Sequence, residues 1–231
     1  MQLPESDSFI NIHTHRSSSS EDEYALLNVF AQEISNYKFN YDFAYSAGLH
    51  PWHLQTESRI ESLIYEVKQA SRYDIVIAIG ETGLDRAIKT PFEVQMKAFL
   101  PQILIAEESN KPVILHCVRA YSDMIGIRKK YRLSVPWIFH GFTGNLQIAS
   151  QLIEMGCYLG FGKFLLNTKS KVPDLFSLLP DDWIFLEIDD SQYNIQQIYQ
   201  QACLIKGYQT NKLKEIILKN FNRCFIDGRN K

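Results

Sequence analysis

The sequence contains no apolar run of about 18 residues, so we expect no membrane-spanning segment. Residues 1–7 combine neither a basic stretch nor an apolar one, and no secretion signal is expected there. The four cysteines lie far apart without a CxxC pair, which argues against a disulfide framework and against a zinc ribbon. Together these absences favour a cytoplasmic protein with no membrane partner.

A strong charge of one sign is also missing, because 24 Lys and Arg residues nearly balance 26 Asp and Glu residues. The net charge of −2 excludes binding to nucleic acid through bulk positive charge, but it leaves open a local grip on phosphates through a metal. With 231 residues, 45% hydrophobic and 22% charged, the chain has the composition of a folded protein. We expect one domain over residues 1–231 and see no sign of an obligate protein partner.

Short apolar runs alternate with amphipathic stretches along the chain. Seven runs rich in β-branched or aromatic residues predict strands: Phe9–His13, Ala44–His50, Ile75–Glu81, Pro112–Cys117, Trp137–Phe142, Tyr158–Gly162 and Ile184–Asp189. Repeated alternation of strand and helix, with strands apolar along their length, predicts a parallel sheet covered by helices. A barrel and an open, doubly wound sheet both fit this pattern.

The stretches between these runs place apolar residues at helical spacing. One predicted helix follows the polar run at residues 17–20 and carries Leu27, Phe30 and Ile34 on one face. Further helices are predicted over 60–67, 91–104, 145–153, 195–205 and 213–221. The signals that start or end them are Pro91, Asn145, Gly156 and Gly207.

Side chains with metal-binding chemistry end six of the seven predicted strands: His13 with His15, His50, Glu81, His116, His140 and Asp189. His13 and His15 are two apart, so on a strand both point to one face. Spacings of one or two βα units place the set on strands one to five and seven. Side chains on the first and seventh strands meet only if the sheet closes, and the carboxyl end of such a barrel is where active sites are built. We therefore predict an α/β fold, a (β/α)8 TIM-type barrel. The pattern leaves open whether its last strand is degenerate.

Four imidazoles and two carboxylates in one pocket need compensation, because burying unpaired polar groups is costly. Divalent cations such as Zn, Mg or Mn would provide it. Six ligands exceed what one tetrahedral ion takes, so we predict two divalent metal ions bridged by Glu81, which would activate a water for a displacement reaction. A metal-free network of hydrogen-bonded histidines is the alternative.

Short motifs occur in a fixed order along the chain: GLHP at residues 48–51, IGETGLD at 79–85, HGFTG at 140–144 and LEID at 186–189. They resemble the motifs of TatD-like metal-dependent hydrolases, amidohydrolase-like barrels of which many are described as deoxyribonucleases. The resemblance extends from about Phe9 to about Phe225. It implies six metal ligands: His13, His15, Glu81, His116, His140 and Asp189.

The resemblance and metal chemistry together imply roles for these residues. One ion would be held by His13 and His15, the other by His116 and His140, with Glu81 between them. Asp189 would bind metal and take a proton from the attacking water, so Asp189 and Glu81 are the expected catalytic residues.

Substrate phosphate is expected to contact three residues: His50, Arg86 and Arg119. For the two arginines a solvated loop charge is an equal alternative. Trp52 either stacks on a base or caps the barrel rim.

Four departures from the family pattern concern the surroundings of the ligands. Asn11 stands where the family usually has Asp, and Arg16 with Ser17 replaces an acidic residue after the H-x-H pair. Arg119 is displaced by one residue from the usual H-x-R position. After Asp189 the chain enters a helix directly, without the family's long arginine-bearing loop.

These departures leave three functions to compare. A metal-dependent deoxyribonuclease that acts on DNA ends or short strands is favoured by the resemblance. A hydrolase of a small ester, amide or phosphoester on the same two-metal site is favoured by the shortened loop and the negative charge. A non-catalytic barrel protein is disfavoured because metal chemistry alone requires all six ligands together.

Overall fold

The structure is a computed structural model that describes residues 3–17, 20–54 and 57–227. Within these residues, eight parallel strands follow one another in chain order around a single sheet. They are β1 (Phe9–Thr14), β2 (Glu23–Phe30), β3 (Ala44–Gly48), β4 (Val76–Asp85), β5 (Val113–Val118), β6 (Trp137–Phe139), β7 (Tyr158–Phe161) and β8 (Ile184–Leu186). A parallel bridge between Thr14 and Asp189 joins the last strand region to the first, and the Asp189 amide donates to the His13 carbonyl at 3.0 Å. The sheet therefore forms a nearly closed barrel, which confirms the predicted fold class.

Seven α-helices surround the barrel in the described part of the chain. They are α1 (Ile60–Ala70), α2 (Phe92–Ser109), α3 (Tyr121–Tyr131), α4 (Leu146–Glu154), α5 (Val172–Leu178), α6 (Ile195–Lys206) and α7 (Thr210–Phe221). Helices α6 and α7 follow β8 and pack against both β1 and β8, so they cover the seam of the barrel. None of the described helices is long and apolar enough to cross a membrane.

The predicted helix ends agree closely with the structure. Asn145 caps α4, its side-chain oxygen accepting from the Ile148 amide at 2.9 Å. Gly207 ends α6 with φ of 70°, a backbone conformation that glycine adopts without strain. Pro91 immediately precedes the first residue of α2 instead of being its first residue. The sequence analysis did not find α3 and α5.

The helix predicted through Leu27 and Phe30 is wrong, because residues 23–30 form strand β2. Leu26 and Val29 are fully buried and Leu27 nearly so, which means that both faces of β2 are covered. An apolar segment buried on both faces has no period that separates strand from helix. The polar run before it falls partly on residues 18–19, outside the described residues. With β2 counted, the strands that carry the site residues are β1, β3, β4, β5, β6 and β8.

Two buried glutamines of α2 fix the backbone on which the site is built. The Gln102 side chain accepts from the Leu49 amide at 2.7 Å and donates to the Leu49 carbonyl at 3.1 Å. It also donates to Thr82 Oγ1 at 2.6 Å, so it ties the segment after β3 to β4. Two turns earlier, Gln95 makes the same reciprocal pair of bonds with the Asp85 backbone, at 2.8 and 2.9 Å. Gln102 thus links the ends of two neighbouring strands, and Gln95 fixes the carboxyl end of β4.

Gly83 allows strands β4 and β5 to approach closely at the level of the site. Its φ is +156°, and a Cβ atom there would lie 1.9 Å from the His116 carbonyl oxygen. Only glycine fits this position, which explains the residue between Glu81 and Asp85 in the IGETGLD motif.

Candidate metal centre

The six predicted ligands all lie at the carboxyl-end rim of the barrel. His13 is in β1 and His15 directly follows it, while Glu81 is in β4 and His116 in β5. His140 directly follows β6, and Asp189 lies three residues after β8. Residues that are up to 176 positions apart in the sequence are therefore brought into one cluster.

Glu81 is the centre of this cluster, and its two carboxylate oxygens face different histidines. Oε2 lies 3.4 Å from His13 Nε2 and 3.4 Å from His15 Nε2. Oε1 lies 2.7 Å from His140 Nε2 and 3.1 Å from His116 Nδ1. The Asn28 side chain accepts from the Glu81 backbone amide and fixes this strand position. The carboxylate thus stands between two pairs of imidazoles.

Asp189 adds a second carboxylate on the Oε2 side of Glu81. Its Oδ1 lies 3.6 Å from His13 Nε2 and 3.4 Å from His15 Nε2. On its other side, Lys163 Nζ lies 3.6 Å from Asp189 Oδ2 and donates to Asp190 at 2.8 Å. Asp189 therefore lies between the two histidines of β1 and a lysine at the rim.

Two further carboxylates face the outer ring nitrogens of His116 and His140, those that point away from Glu81. Asp85 Oδ2 lies 3.1 Å from His116 Nε2, and Glu187 Oε1 lies 3.6 Å from His140 Nδ1. A carboxylate accepts hydrogen bonds, so it favours the tautomer in which the ring nitrogen that it faces carries the N–H. His116 Nδ1 and His140 Nε2 are then the nitrogens that can offer a lone pair to a cation, and both point towards Glu81 Oε1.

Unsatisfied buried atoms show that this donor set suits a cation. The His13 side chain is fully buried, and neither of its ring nitrogens has a hydrogen-bond partner. Ligand atoms within 4.8 Å of one another form three groups: His13–His15–Glu81, His13–His140–Asp189 and His50–Glu81–His116. Imidazole and carboxylate are ligands that zinc, manganese and related divalent ions accept. The residues present therefore fit divalent metal ions, and protein hydrogen bonds alone leave them unsatisfied.

The mutual attraction of these groups shifts their pKa values. Burial opposes the charged form of His15, yet hydrogen bonds to Asp189 and Glu81 raise its pKa to about 9. Burial is likewise outweighed at His140, where Glu81 and Glu187 raise the pKa well above the usual range. The surrounding imidazoles hold the pKa values of Glu81 and Asp189 below their usual range in spite of burial. A bound cation would compete with protons for the same nitrogens.

A cavity of about 330 Å³ opens onto the centre from the rim. Its polar lining includes His15, His116, His140 and both Asp189 and Asp190, and its aromatic lining includes Phe30, Trp52 and His53. Trp52 is 60% exposed although its Nε1 donates to Asp85 Oδ2 at 2.8 Å. One indole edge is thus anchored beside the centre while most of the ring remains accessible.

The three residues predicted to contact phosphate have different surroundings. His50 is buried at the centre, with its Nε2 3.0 Å from Glu81 Oε1. Arg86 forms a two-pronged salt bridge to Asp123, at 2.8 and 2.7 Å. Arg119 follows β5, is exposed, and has no hydrogen bond or ion pair within the described residues.

Sequence reasoning missed Asp85 as a partner of the centre, although a signal was present. The predicted strand ended at Glu81, whereas β4 continues to Asp85. Glu81 and Asp85 are four positions apart, so the alternation of a strand places them on one face. Lys163 carries no such signal, since its approach to Asp189 depends on the fold of the segment after β7.

Asn11 is bonded within the barrel wall instead of to the histidines. Its Nδ2 donates to Glu23 Oε1 at 2.8 Å, and its Oδ1 accepts from the Ile188 amide at 3.1 Å. The amide thereby links β1 to β2 and to the segment after β8. Beside Glu23, an amide supplies the donor that a carboxylate in this position would lack.

Comparison with known proteins identifies relatives of this chain. The model of the family described as TatD related DNase matches residues 22–226. The metal-dependent hydrolase YabD of Bacillus subtilis is 35% identical over 202 residues, covering 80% of this chain and 78% of YabD. The 3'-5' ssDNA/RNA exonuclease TatD of Citrobacter koseri is 30% identical over 154 residues, covering 62% of this chain and 56% of that protein.

Solved structures show the same fold at lower identity. YjjV, a TatD homologue from Escherichia coli, has a TM-score of 0.80 at 22% identity, covering 96% of this chain and 99% of YjjV. A phosphotriesterase homology protein from Escherichia coli, solved with phosphate in its active site, has a TM-score of 0.61 at 15% identity. The match covers 79% of this chain and 74% of that protein.

Proposed function

The chain belongs to the TatD related DNase family of metal-dependent hydrolases, and from this premise we propose that it hydrolyses phosphodiester bonds in DNA, at ends or in short strands. One relative is named as a 3'-5' exonuclease of single-stranded DNA and RNA, which favours a nucleic-acid substrate. The chain has a net charge of −2 and no bulk positive charge, so recognition would be local, at the scissile phosphate. A cytoplasmic location stays a prediction.

The observation that carries this proposal is the position of Glu81 between two histidine pairs. Oε2 faces His13 and His15, whereas Oε1 faces His116 and His140. This arrangement supports Glu81 as a ligand shared by two divalent ions, Zn, Mg or Mn, which the two histidine pairs and Asp189 would hold with it. When bound, two such ions supply an activated water and neutralise the attacking and leaving oxygens of a displacement.

The remaining roles fall to residues around that bridge. Asp189 stays ionised beside His13 and His15, so its carboxylate can accept the proton of the attacking water. Lys163 favours that ionised form from the other side. His50 contacts the phosphate from the centre. Arg119 is free to reach a phosphate at the rim, and Arg86 would exchange Asp123 for one.

A second candidate function is hydrolysis of a small ester, amide or phosphoester on the same centre. Only residues 190–194 separate Asp189 from α6, so no long loop extends the substrate surface there. A cavity of about 330 Å³ lies at the small end of the usual range for ligand sites. This substrate class needs no contact beyond the reacting group.

The two functions separate in one assay on the metal-loaded protein. End-labelled single-stranded DNA, the matching duplex, a chromogenic phosphodiester and a chromogenic carboxylate ester are compared. We expect nucleotide release from single strands that a chelator and Asp189→Asn both abolish. Asp42→Asn, which removes an exposed carboxylate just before β3 at the opposite end of the barrel, is the matched control and should keep full activity.

Intact DNA together with turnover of the carboxylate ester would replace the nuclease proposal with the second function. If elemental analysis finds no bound metal and no added metal produces turnover, a non-catalytic barrel protein is the remaining interpretation.

A further inference from the structure

His50 differs from the other histidines of the centre in the bond made by its outer ring nitrogen. It directly precedes the short 3-10 turn Pro51–His53, and its Nδ1 accepts from the Trp52 backbone amide at 3.1 Å. A backbone N–H can only donate, so Nδ1 must carry a lone pair. The imidazole is then neutral, with its single N–H on Nε2.

The inner nitrogen of His50 has a contact that agrees with this assignment. His50 Nε2 lies 3.0 Å from Glu81 Oε1, the distance of an N–H donating to a carboxylate. His50 therefore accepts on its outer side and donates towards the centre. It is almost fully buried, so water does not compete for either contact.

His116 and His140 have the opposite polarity. Their outer nitrogens face carboxylates, Asp85 and Glu187, which can accept an N–H, so their inner nitrogens are able to offer lone pairs to a cation. These inner lone pairs are what a metal ligand requires. The group His50–Glu81–His116 has distances that would suit an ion, but His50 Nε2 has no lone pair to offer while the turn at Trp52 is intact.

Trp52 determines both polarities at once. Its backbone amide holds His50 with Nε2–H inward, and its indole Nε1 donates to Asp85 Oδ2, which also faces His116 Nε2. Trp52 thus favours an N–H donor at His50 and a lone pair for a metal at His116. The rings of His50 and His116 meet edge to face, with centroids 4.4 Å apart.

We propose that His50 is not a ligand of the centre but its fixed N–H donor, contacting a non-bridging oxygen of the substrate phosphate. The phosphate part of this inference rests on the proposed function, whereas the donor polarity does not. His50 lines the same cavity as His116, His140 and Asp189, so an anion bound there can share its N–H with Glu81 without movement of the ring. A preorganised, buried donor of this kind stabilises developing charge without reorganising.

The polarity can be tested on the holoprotein by NMR, independently of activity. The protein is labelled with 15N-histidine and loaded with 113Cd. We expect 113Cd–15N coupling at His116 Nδ1 and His140 Nε2, no coupling at His50, and a directly bonded proton on His50 Nε2. Coupling at His50 Nε2, or a proton on its Nδ1, would overturn the proposal.

Substitution tests the anion contact with inorganic phosphate as the probe. His50→Gln keeps an N–H donor at a similar reach, whereas His50→Ala removes it. We expect elemental analysis to find the wild-type metal content in both variants, and phosphate affinity to fall about tenfold in His50→Ala but less than threefold in His50→Gln. Gln151→Ala is the control, since Gln151 is an exposed residue of α4 outside this cavity, and it should retain phosphate affinity.

The outcomes distinguish this inference from the proposed function. Loss of metal from both His50 variants would make His50 a ligand and contradict the inference. Equal phosphate affinity of His50→Ala and wild type, or no phosphate binding by wild type, would contradict the anion contact. Intact DNA with the expected coupling pattern and phosphate binding would instead contradict only the nuclease proposal.

Discussion

The two ends of the barrel both collect carboxylates, but among the described residues only the carboxyl end places unpartnered imidazole nitrogens beside them. At the amino end, Asp22 and Glu23 line a cavity of about 290 Å³ together with four other acidic residues. Their bonds go to the protein: Gln196 donates to Asp22 at 3.1 Å and Asn11 donates to Glu23 at 2.8 Å. Hydrogen bonding from Ser20 lowers the pKa of Asp22.

At the carboxyl end, fewer carboxylates meet five histidines, of which all but His50 can offer a lone pair to a cation. His13 has no hydrogen-bond partner for either ring nitrogen in the described part of the chain, and the oxygens of Glu81 face two pairs of imidazoles. The difference shows that the number of acidic residues does not make a metal site. Mixed nitrogen and oxygen donors, held in place by outer carboxylates and left unsatisfied by the protein, do.

The largest expected effect comes from the carboxylate that defines the carboxyl end. Glu81→Gln removes the charge that the two histidine pairs share, so hydrolytic activity should fall about 10³-fold or more and metal content should drop. Turnover and elemental analysis measure both. Glu21→Gln at the amino end makes the same chemical change and should alter neither. Equal losses in the two variants would erase the distinction between the ends.

Removing an outer carboxylate should have a smaller effect that acts through a ligand. Asp85→Asn keeps an acceptor for Trp52 Nε1 but removes the charge that orients His116. Metal affinity should fall about 10- to 100-fold, as measured by competition with a coloured chelator. Asp123→Asn removes another carboxylate near this rim, where it binds only Arg86, and should leave metal affinity unchanged. An unchanged affinity in Asp85→Asn would mean that the position of His116 does not depend on Asp85.

The carboxyl end could be predicted from the sequence because its residue types and their positions carry independent signals. Histidines and carboxylates that end apolar runs identify strand ends, and closure of the barrel then brings His13, Glu81 and Asp189 together. Neither step depends on the exact strand count, so missing β2 shifted the strand numbers without changing the set of residues that meet.

The parts that sequence reasoning missed depend on burial and on tertiary contacts. β2 is covered on both faces and has no readable period, while α3 contains Gly126 and α5 spans only seven residues. The polarity of His50 depends on a turn in which the Trp52 amide reaches back to Nδ1. Such a contact requires coordinates, since residue types alone allow either tautomer.

A substitution in the barrel wall between the two ends should change the stability of the protein instead of its activity. Asn11→Asp replaces the donor to the half-buried Glu23 with a buried carboxylate, so the free energy of unfolding should fall by about 2–3 kcal/mol. Denaturant unfolding measures this change. Adding Glu23→Gln restores a donor across the pair and should recover most of the loss. A stable Asn11→Asp protein with altered metal content would instead connect residue 11 to the centre.

The smallest expected effect is a pH dependence that belongs to the carboxyl end alone. Because Asp189 and Glu81 raise the pKa of His15 to about 9, its charged form stabilises the metal-free protein. This contribution is fully present below the unfolded pKa of about 6.5 and is lost as the pH rises through about 9. After allowance for solvent screening it amounts to roughly 1–2 kcal/mol, and His140 acts in the same direction.

The metal-free protein should therefore lose thermal stability between pH 6.5 and 9, whereas the metal-loaded protein should not, since cations replace the protons. At the amino end, hydrogen bonding from Ser20 lowers the pKa of Asp22, so that carboxylate cannot produce the slope. His15→Gln should flatten it in the metal-free protein, and an unchanged slope in that variant would assign the titration to another part of the molecule.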